Sequence, residues 1–167
     1  MAINQTMERL FLQAYDDYAD AIFRHCYFKT SDRDLAKDLT QQTFLQAWAF
    51  LKQGKTIEEF RPFLYRLANN LVIDWYRRKK ADSLDQLMAE GFNPASENDS
   101  PVLIAEFNLA MKFLDKLNPT DKNLIVWRYV EDLSTKEIAV ILQTSENTVS
   151  VQLHRAVKKV NRLINTN

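Results

Sequence analysis

Two glycines in 167 residues, Gly54 and Gly91, leave few places where this chain can make the tight left-handed turns that hairpins and β-barrels need. Four prolines add little. Leu, Ala, Lys, Gln and Glu together make up 65 of the 167 residues, and these are helix formers. The expected fold class is therefore all-α, and the length allows one domain or two small ones.

Apolar spacing marks the helices. Phe11, Tyr15, Tyr18, Ile22 and Cys26 form one helical stripe over about residues 8–29. Ser31-Asp32 predicts a break and an N-cap, with a second helix from about Arg33 to Lys52 ending near Gly54. Thr56 followed by Glu59 fits a capping box, and Pro62 predicts a short turn before a main helix starting near Arg61. That helix should bury Phe60, Leu64, Leu67 and Leu71. Residues 81–101 lose all period and hold Asn93-Pro94 and Asn98 to Pro101, so they are expected to be a flexible acidic linker. Four helices should follow. The first has the stripe Leu103, Phe107, Met111, Leu114 and Leu117. The second covers about Thr120–Val130. The third opens with a capping box at Ser134 and Glu137. The fourth opens at Ser145 and buries Val149, Leu153, Ala156, Val160 and Leu163.

The formal net charge of +0 hides an asymmetry. Residues 59–80 hold six Arg/Lys against two Asp/Glu, a net +4. Residues 81–121 hold two against eight, a net −6, and residues 145–167 hold four against one, a net +3. A protein that grips DNA alone through phosphates is usually basic throughout, so DNA binding here is expected to be local or assisted by a partner. Cys26 is the single cysteine and excludes an internal disulfide. With His25 and His154 it offers no metal-ligand spacing, and no cofactor is expected. No apolar run reaches the ~20 residues that span a bilayer, and Met7, Glu8 and Arg9 interrupt any signal-like start. The chain is expected to be cytoplasmic, without membrane insertion.

Two segments carry recognition chemistry. Residues 134–162 predict two helices joined by Gln143-Thr144-Ser145, the helix-turn-helix arrangement. Thr148, Ser150, Val151, His154, Arg155 and Lys158 would face a major groove, with Lys158, Lys159 and Arg162 suited to phosphates. An ordinary αα-hairpin with a solvated face has the same pattern. In residues 60–80, FRPFLYRLANNLVIDWYRRKK, five aromatics interleave with six basic residues, a mixture suited to unpaired bases. Arg66, Asn70, Asp74 and Arg77 share one face. An amphipathic core helix with a basic last turn is the plainer alternative.

Three blocks, in order and with matching spacing across nearly the whole chain, resemble the ECF group of sigma-70 RNA polymerase sigma factors. They are Asp34 to Phe44 (DLAKDLTQQTF), Phe60 to Lys80, and Lys136 to Ala156. The resemblance implies two small helical domains: a three-helix sigma2-like domain over 8–80 and a sigma4-like helix-turn-helix domain over 102–164, joined by the linker 81–101. It implies a transcription initiation factor, not an enzyme, that brings core RNA polymerase to particular promoters and promotes melting. Asp38, Gln41, Gln42 and Phe44 would meet the β′ clamp coiled coil, and the second domain the β flap. Arg66, Asn69, Asn70, Asp74, Trp75, Arg77 and Arg78 would meet minus-ten DNA, and the six groove-facing residues of the last helix minus-thirty-five DNA. Gln42 stands where Glu is commoner, and Asn69 and Ser150 where a basic residue is. The loop at Gln53–Ile57 corresponds to the flipped-base pocket. The group also implies a possible anti-sigma partner and an acidic linker that enters the RNA channel. Two rivals remain from the residues alone. One is a stand-alone DNA-binding regulator using 103–164. The other is a helical enzyme such as a nuclease or phosphotransferase, with Asp32, Asp34 and Asp38 as its only paired carboxylates at metal spacing.

Overall fold

A computed structural model describes residues 5–82, 109–110 and 112–166. The chain divides into two compact units, at residue 92. Among the described residues every regular element is helical.

The first unit is a three-helix domain of α1 (Gln5–Thr30), α2 (Arg33–Lys52) and α3 (Phe60–Asp82), each packed on the other two. Ser31, with φ 54, breaks the chain between α1 and α2. Asp32 then caps α2 by accepting from the Leu35 N–H at 3.0 Å, as Ser31-Asp32 predicts. Gly54 takes φ 76 just past the end of α2, where a Cβ-bearing residue would be strained. The core centres on Ile22, Cys26, Leu39, Leu51, Leu64 and Tyr65. Ala36, Ala47 and Ala68 are fully buried, and their short side chains let the three helices approach closely. Thr40 and Thr43, also buried, donate to the carbonyls of Ala36 and Leu39, so neither hydroxyl is lost to the core.

Three sequence expectations change in this unit. Residues 56–59 lie outside any helix, so the Thr56–Glu59 pair opens none of its own; α3 begins at Phe60, one residue before the expected Arg61, and takes Pro62 into its first turn. Proline is tolerated there because the first N–H groups of a helix have no intrahelical acceptor. Tyr65 belongs to the core, 2% exposed, because α3 lies against both α1 and α2 and buries a wider face than one stripe. Ala81 and Asp82 continue α3; the rest of the expected linker, 83–101, lies outside the described residues.

The second unit contains α4 (Pro119–Ile125), a π-helical turn over Val126–Val130, α5 (Thr135–Leu142) and α6 (Glu146–Asn165). Residues 109–110 and 112–114 are also helical, with Leu114 buried; Leu103, Phe107 and Met111 of that stripe lie outside the described residues. Asn118 caps α4 by accepting from the Asp121 N–H at 2.8 Å, with Pro119 at the first helical position. The helix expected to run on to Val130 widens after Ile125: the Glu131 N–H reaches back five residues to the Val126 carbonyl at 2.9 Å. Asp132, at φ 53, then turns the chain, and the Leu133 N–H donates to the Trp127 carbonyl at 2.8 Å. The capping box of α5 is complete, with Glu137 N–H to Ser134 Oγ at 3.1 Å and Ser134 N–H to Glu137 Oε2 at 2.8 Å. Trp127, Leu133, Ile138, Val149, Leu153 and Ala156 fill the core.

Candidate nucleic-acid and partner surfaces

The helix pair α5–α6 is joined by Gln143, Thr144 and Ser145. Gln143 adopts φ 53, ψ 47, the left-handed conformation that favours glycine, and the Thr144 N–H closes the end of α5 on the Ala139 carbonyl at 3.0 Å. Ser145 caps α6 by accepting from the Thr148 N–H at 3.1 Å. Thr135 Oγ1 donates to Glu146 Oε1 at 2.7 Å and pins the start of α6 to the start of α5. Val149, Leu153 and Ala156 face inward, which leaves Ser150, Val151, His154, Arg155 and Lys158 exposed along the outer side. Thr148 is half-buried and its hydroxyl shares a 2.7 Å bond with Ser145; the Ser150 hydroxyl donates to the Glu146 carbonyl at 3.0 Å. Both hydroxyls serve their own helix first and retain lone pairs as acceptors.

Lys159 differs from the phosphate contact expected of it. Its ammonium pairs with the Asp121 carboxylate of α4, which is 8% exposed and also accepts from Asn118 Nδ2 at 2.8 Å. Burial makes an unpaired carboxylate expensive, so Lys159 is held to α4.

On α3, Asn70, Asp74, Arg77 and Arg78 are exposed, and Arg66 and Trp75 are half-buried. Asp74 and Arg77 approach to 3.6 Å, one turn apart. Lys79 lies 4.8 Å from the centroid of the Trp75 ring. Asn69 points the other way. It is 7% exposed and its Oδ1 accepts from Lys29 Nζ of α1 at 3.2 Å: helical geometry turns adjacent residues about 100° apart, and of the two asparagines Asn70 takes the outer place. Tyr76 donates its phenol hydrogen to the Lys29 carbonyl, a second tie between α1 and α3, and partial burial raises its pKa above the usual 10.0.

On α2, Asp38, Gln41 and Gln42 are exposed. Phe44 is 4% exposed and makes edge contacts with Phe11 at 6.2 Å and Tyr15 at 4.7 Å, so its place is the floor of the surface and not its rim. Above that floor lies an open groove of about 410 Å³ between α1 and α2, lined by Glu8, Phe11, Leu12, Tyr15, Gln41, Leu45 and Trp48 as well as Phe44. Leu45 is 66% exposed, Leu12 55% and Tyr15 47%. Clustered apolar exposure of this kind marks an interaction surface. Sequence reasoning missed Leu12, Leu45 and Trp48; Leu45 lies four residues after Gln41, on the same helical face, and that spacing was the available signal.

Among the described residues no cluster of three or more His, Cys, Asp or Glu forms a metal site, and no helix is long and apolar enough to cross a membrane. What the fold and these surfaces define is a helical DNA-binding protein: a helix-turn-helix with an exposed basic helix in one unit, and both a basic, asparagine-bearing helix and an apolar groove in the other.

Comparison with known proteins narrows the class. Residues 14–81 match the family model Sigma-70 region 2, and residues 107–160 match Sigma-70 region 4. The chain is 30% identical over 159 residues to the ECF RNA polymerase sigma factor SigW of Bacillus subtilis, covering 87% of this chain and 83% of SigW. It is 31% identical over 149 residues to the ECF RNA polymerase sigma factor SigL of Mycobacterium tuberculosis, covering 86% and 82%. Among solved structures, the sigma factor RpoE of Bartonella quintana shares the fold with a TM-score of 0.71 at 20% identity, covering 94% of this chain and 98% of that one. The chain belongs to the ECF RNA polymerase sigma factors, and it is a transcription initiation factor that directs RNA polymerase to specific promoters.

Proposed function

We propose a division of that work among three surfaces. The outer side of α6, with Ser150, Val151, His154, Arg155 and Lys158 and with Thr148 at its start, docks the minus-thirty-five element as duplex. The α3 face of Arg66, Asn70, Asp74 and Arg77, with Trp75 and Arg78, holds the minus-ten non-template strand once it is unpaired. The α1–α2 groove, with Asp38, Gln41 and Gln42 beside it, takes the clamp coiled coil of the polymerase β′ subunit, and the second unit takes the β flap. Asn69 and Phe44 support these surfaces from beneath.

The observation that carries this reading is the groove. The first unit leaves a wide apolar surface uncovered next to the polar residues of α2, and an amphipathic helix is the partner such a groove fits. Energetics point the same way. Melting costs about 1.4 kcal/mol per base step, and extruding a base costs a few kcal/mol, whereas one stacked base returns ~1–3 kcal/mol. A few captured bases cannot hold a bubble open alone, and a chain of zero net charge gains little from phosphates overall, so most of the opening energy comes from the polymerase. In this reading the chain makes and breaks no bond, needs no cofactor, and works in the cytoplasm on the nucleoid. RpoE was crystallised with the anti-sigma factor NepR, and a comparable inhibitor is proposed for this chain.

The test is run-off transcription by core polymerase with and without the chain, with start sites mapped. Asn70→Ala is expected to weaken opening while leaving polymerase binding intact, and Gln41→Ala to weaken polymerase binding first. Full transcription by both variants refutes the assignment of surfaces.

A further inference from the structure

From Ser145 to Ser150 the polar side chains at the start of α6 are engaged within their own unit, with one exception. Ser145 caps the helix and shares its hydroxyl with Thr148 at 2.7 Å. Glu146 accepts from Thr135 at 2.7 Å, and Ser150 donates to the Glu146 carbonyl at 3.0 Å. Asn147 is exposed, and its amide has no hydrogen-bond partner among the described residues. It also stands in the middle of the outer face. At about 100° per residue, Asn147, Val151, His154 and Lys158 fall within about 60° of one another, opposite the stripe of Val149, Leu153 and Ala156. Val151, one turn after Asn147, is 42% exposed. Gln152, the other amide of this stretch, is half-buried and lies about 140° from Asn147, on the flank of the buried stripe.

We infer that Asn147 determines part of this chain's promoter preference by reading the major-groove edge of an adenine in the minus-thirty-five element, with Val151 against the methyl group of a neighbouring thymine. The inference rests on the reading of α6 as the helix that docks this duplex, and it adds a residue and a base to it. The first residues of such a helix are those that reach base edges. An amide carries one acceptor and two donors, and adenine offers an acceptor at N7 and a donor at N6, so the two match in a bidentate pair. Asn147 breaks no internal bond to make that pair, whereas Thr148 and Ser150 must share or release theirs. The Glu146 carboxylate, held beside it by Thr135, repels phosphate and leaves this turn to the bases. The Cβ atoms of Asn147 and Val151, one turn apart, are separated by about 5–6 Å. Base pairs stack about 3.4 Å apart, so the two side chains span neighbouring pairs. Arg155, eight residues after Asn147, lies about 12 Å further along the axis and reads a different pair.

The experiment measures the affinity of the reconstituted holoenzyme for duplexes carrying a promoter mapped by run-off. Each base pair of the minus-thirty-five element is replaced in turn by the other three. The wild-type chain is expected to prefer adenine at one position by about 5- to 150-fold, the worth of one bidentate contact. Asn147→Ala is expected to reduce that preference below about twofold and to keep the preferences elsewhere, since alanine is the better helix former and the fold is retained. Asn147→Asp keeps the size but loses the donors, and is expected to lose the same preference. Replacing the neighbouring thymine by uracil removes one methyl group and is expected to weaken wild-type binding about fourfold, but to leave Val151→Ser unchanged. An adenine preference that survives in Asn147→Ala overturns the inference. So does a loss of affinity in that variant that is equal for every sequence, because it marks a contact to the backbone. Full binding to every uracil duplex overturns the Val151 contact. Arg155→Ala, measured alongside, separates this from the parent reading. If Arg155→Ala relaxes one position and Asn147→Ala relaxes none, only Asn147 falls. If neither relaxes any, the docking of α6 falls with it.

Discussion

Replacing Gln143 by glycine should stabilise the second unit without weakening its grip on DNA. Gln143 sits at the turn of the helix-turn-helix with φ 53, ψ 47. A side chain in that region meets the following carbonyl and costs about 1–2 kcal/mol. Glycine removes the clash but has more freedom to lose on folding, which offsets about 0.4–1 kcal/mol. Gln143 is exposed, so truncating it forfeits little packing. The net gain is roughly 0.5–1 kcal/mol, or about 2–8 °C in the melting temperature of a unit this small. The measurement needs a probe confined to this unit. Trp127 is buried within it, and replacing Trp48 and Trp75 by Phe leaves Trp127 as the only tryptophan. Thermal unfolding followed by Trp127 fluorescence should then rank Gly above Gln, and Gln above the β-branched Val. Equal stability of the Gly and Val variants would refute the reasoning, because it would mean that residue 143 does not hold a left-handed conformation. The turn sets the angle of α6 through backbone bonds that glycine retains, so holoenzyme affinity for a minus-thirty-five duplex should stay unchanged.

Lys159→Met should destabilise the second unit by about 1.5–3 kcal/mol, the usual range for a hydrogen bond to a charged group, and leave the salt slope of duplex binding alone. Lys158→Met should do the opposite, lowering that slope by about 0.9 with little effect on stability. Arg155→Ala should relax discrimination at one base pair of the minus-thirty-five element by about 1–3 kcal/mol, read from holoenzyme binding to a set of substituted duplexes. The Tyr76 phenol is favoured in its neutral form by burial, so its folded pKa lies above the unfolded 10.0. Its contribution is complete below pH 10 and is lost as pH rises through the higher folded value, when the donor to the Lys29 carbonyl is gone. Tyr76→Phe should flatten that part of the alkaline unfolding curve of the whole chain.

Much of this protein is written in local pattern. Glycine scarcity and helical spacing settle the fold class, since helices satisfy their backbone bonds within a dozen neighbouring residues. The caps at Asp32, Ser134 and Ser145 are three-residue affairs and stand where the sequence puts them. The outer residues of α6 follow from the inward period of Val149, Leu153 and Ala156, because one buried stripe dictates the opposite one. Packing between helices decided what pattern leaves open. Asn69 and Asn70 are chemically identical and adjacent, and only the neighbouring Lys29 turns the first into a support and leaves the second for a ligand. Lys158 and Lys159 are separated in the same way by Asp121, 38 residues before Lys159. The groove over Phe44 draws its side chains from two helices. No spacing rule along one chain segment contains the distance between two segments, and it is that distance which makes a charge a contact or a tie.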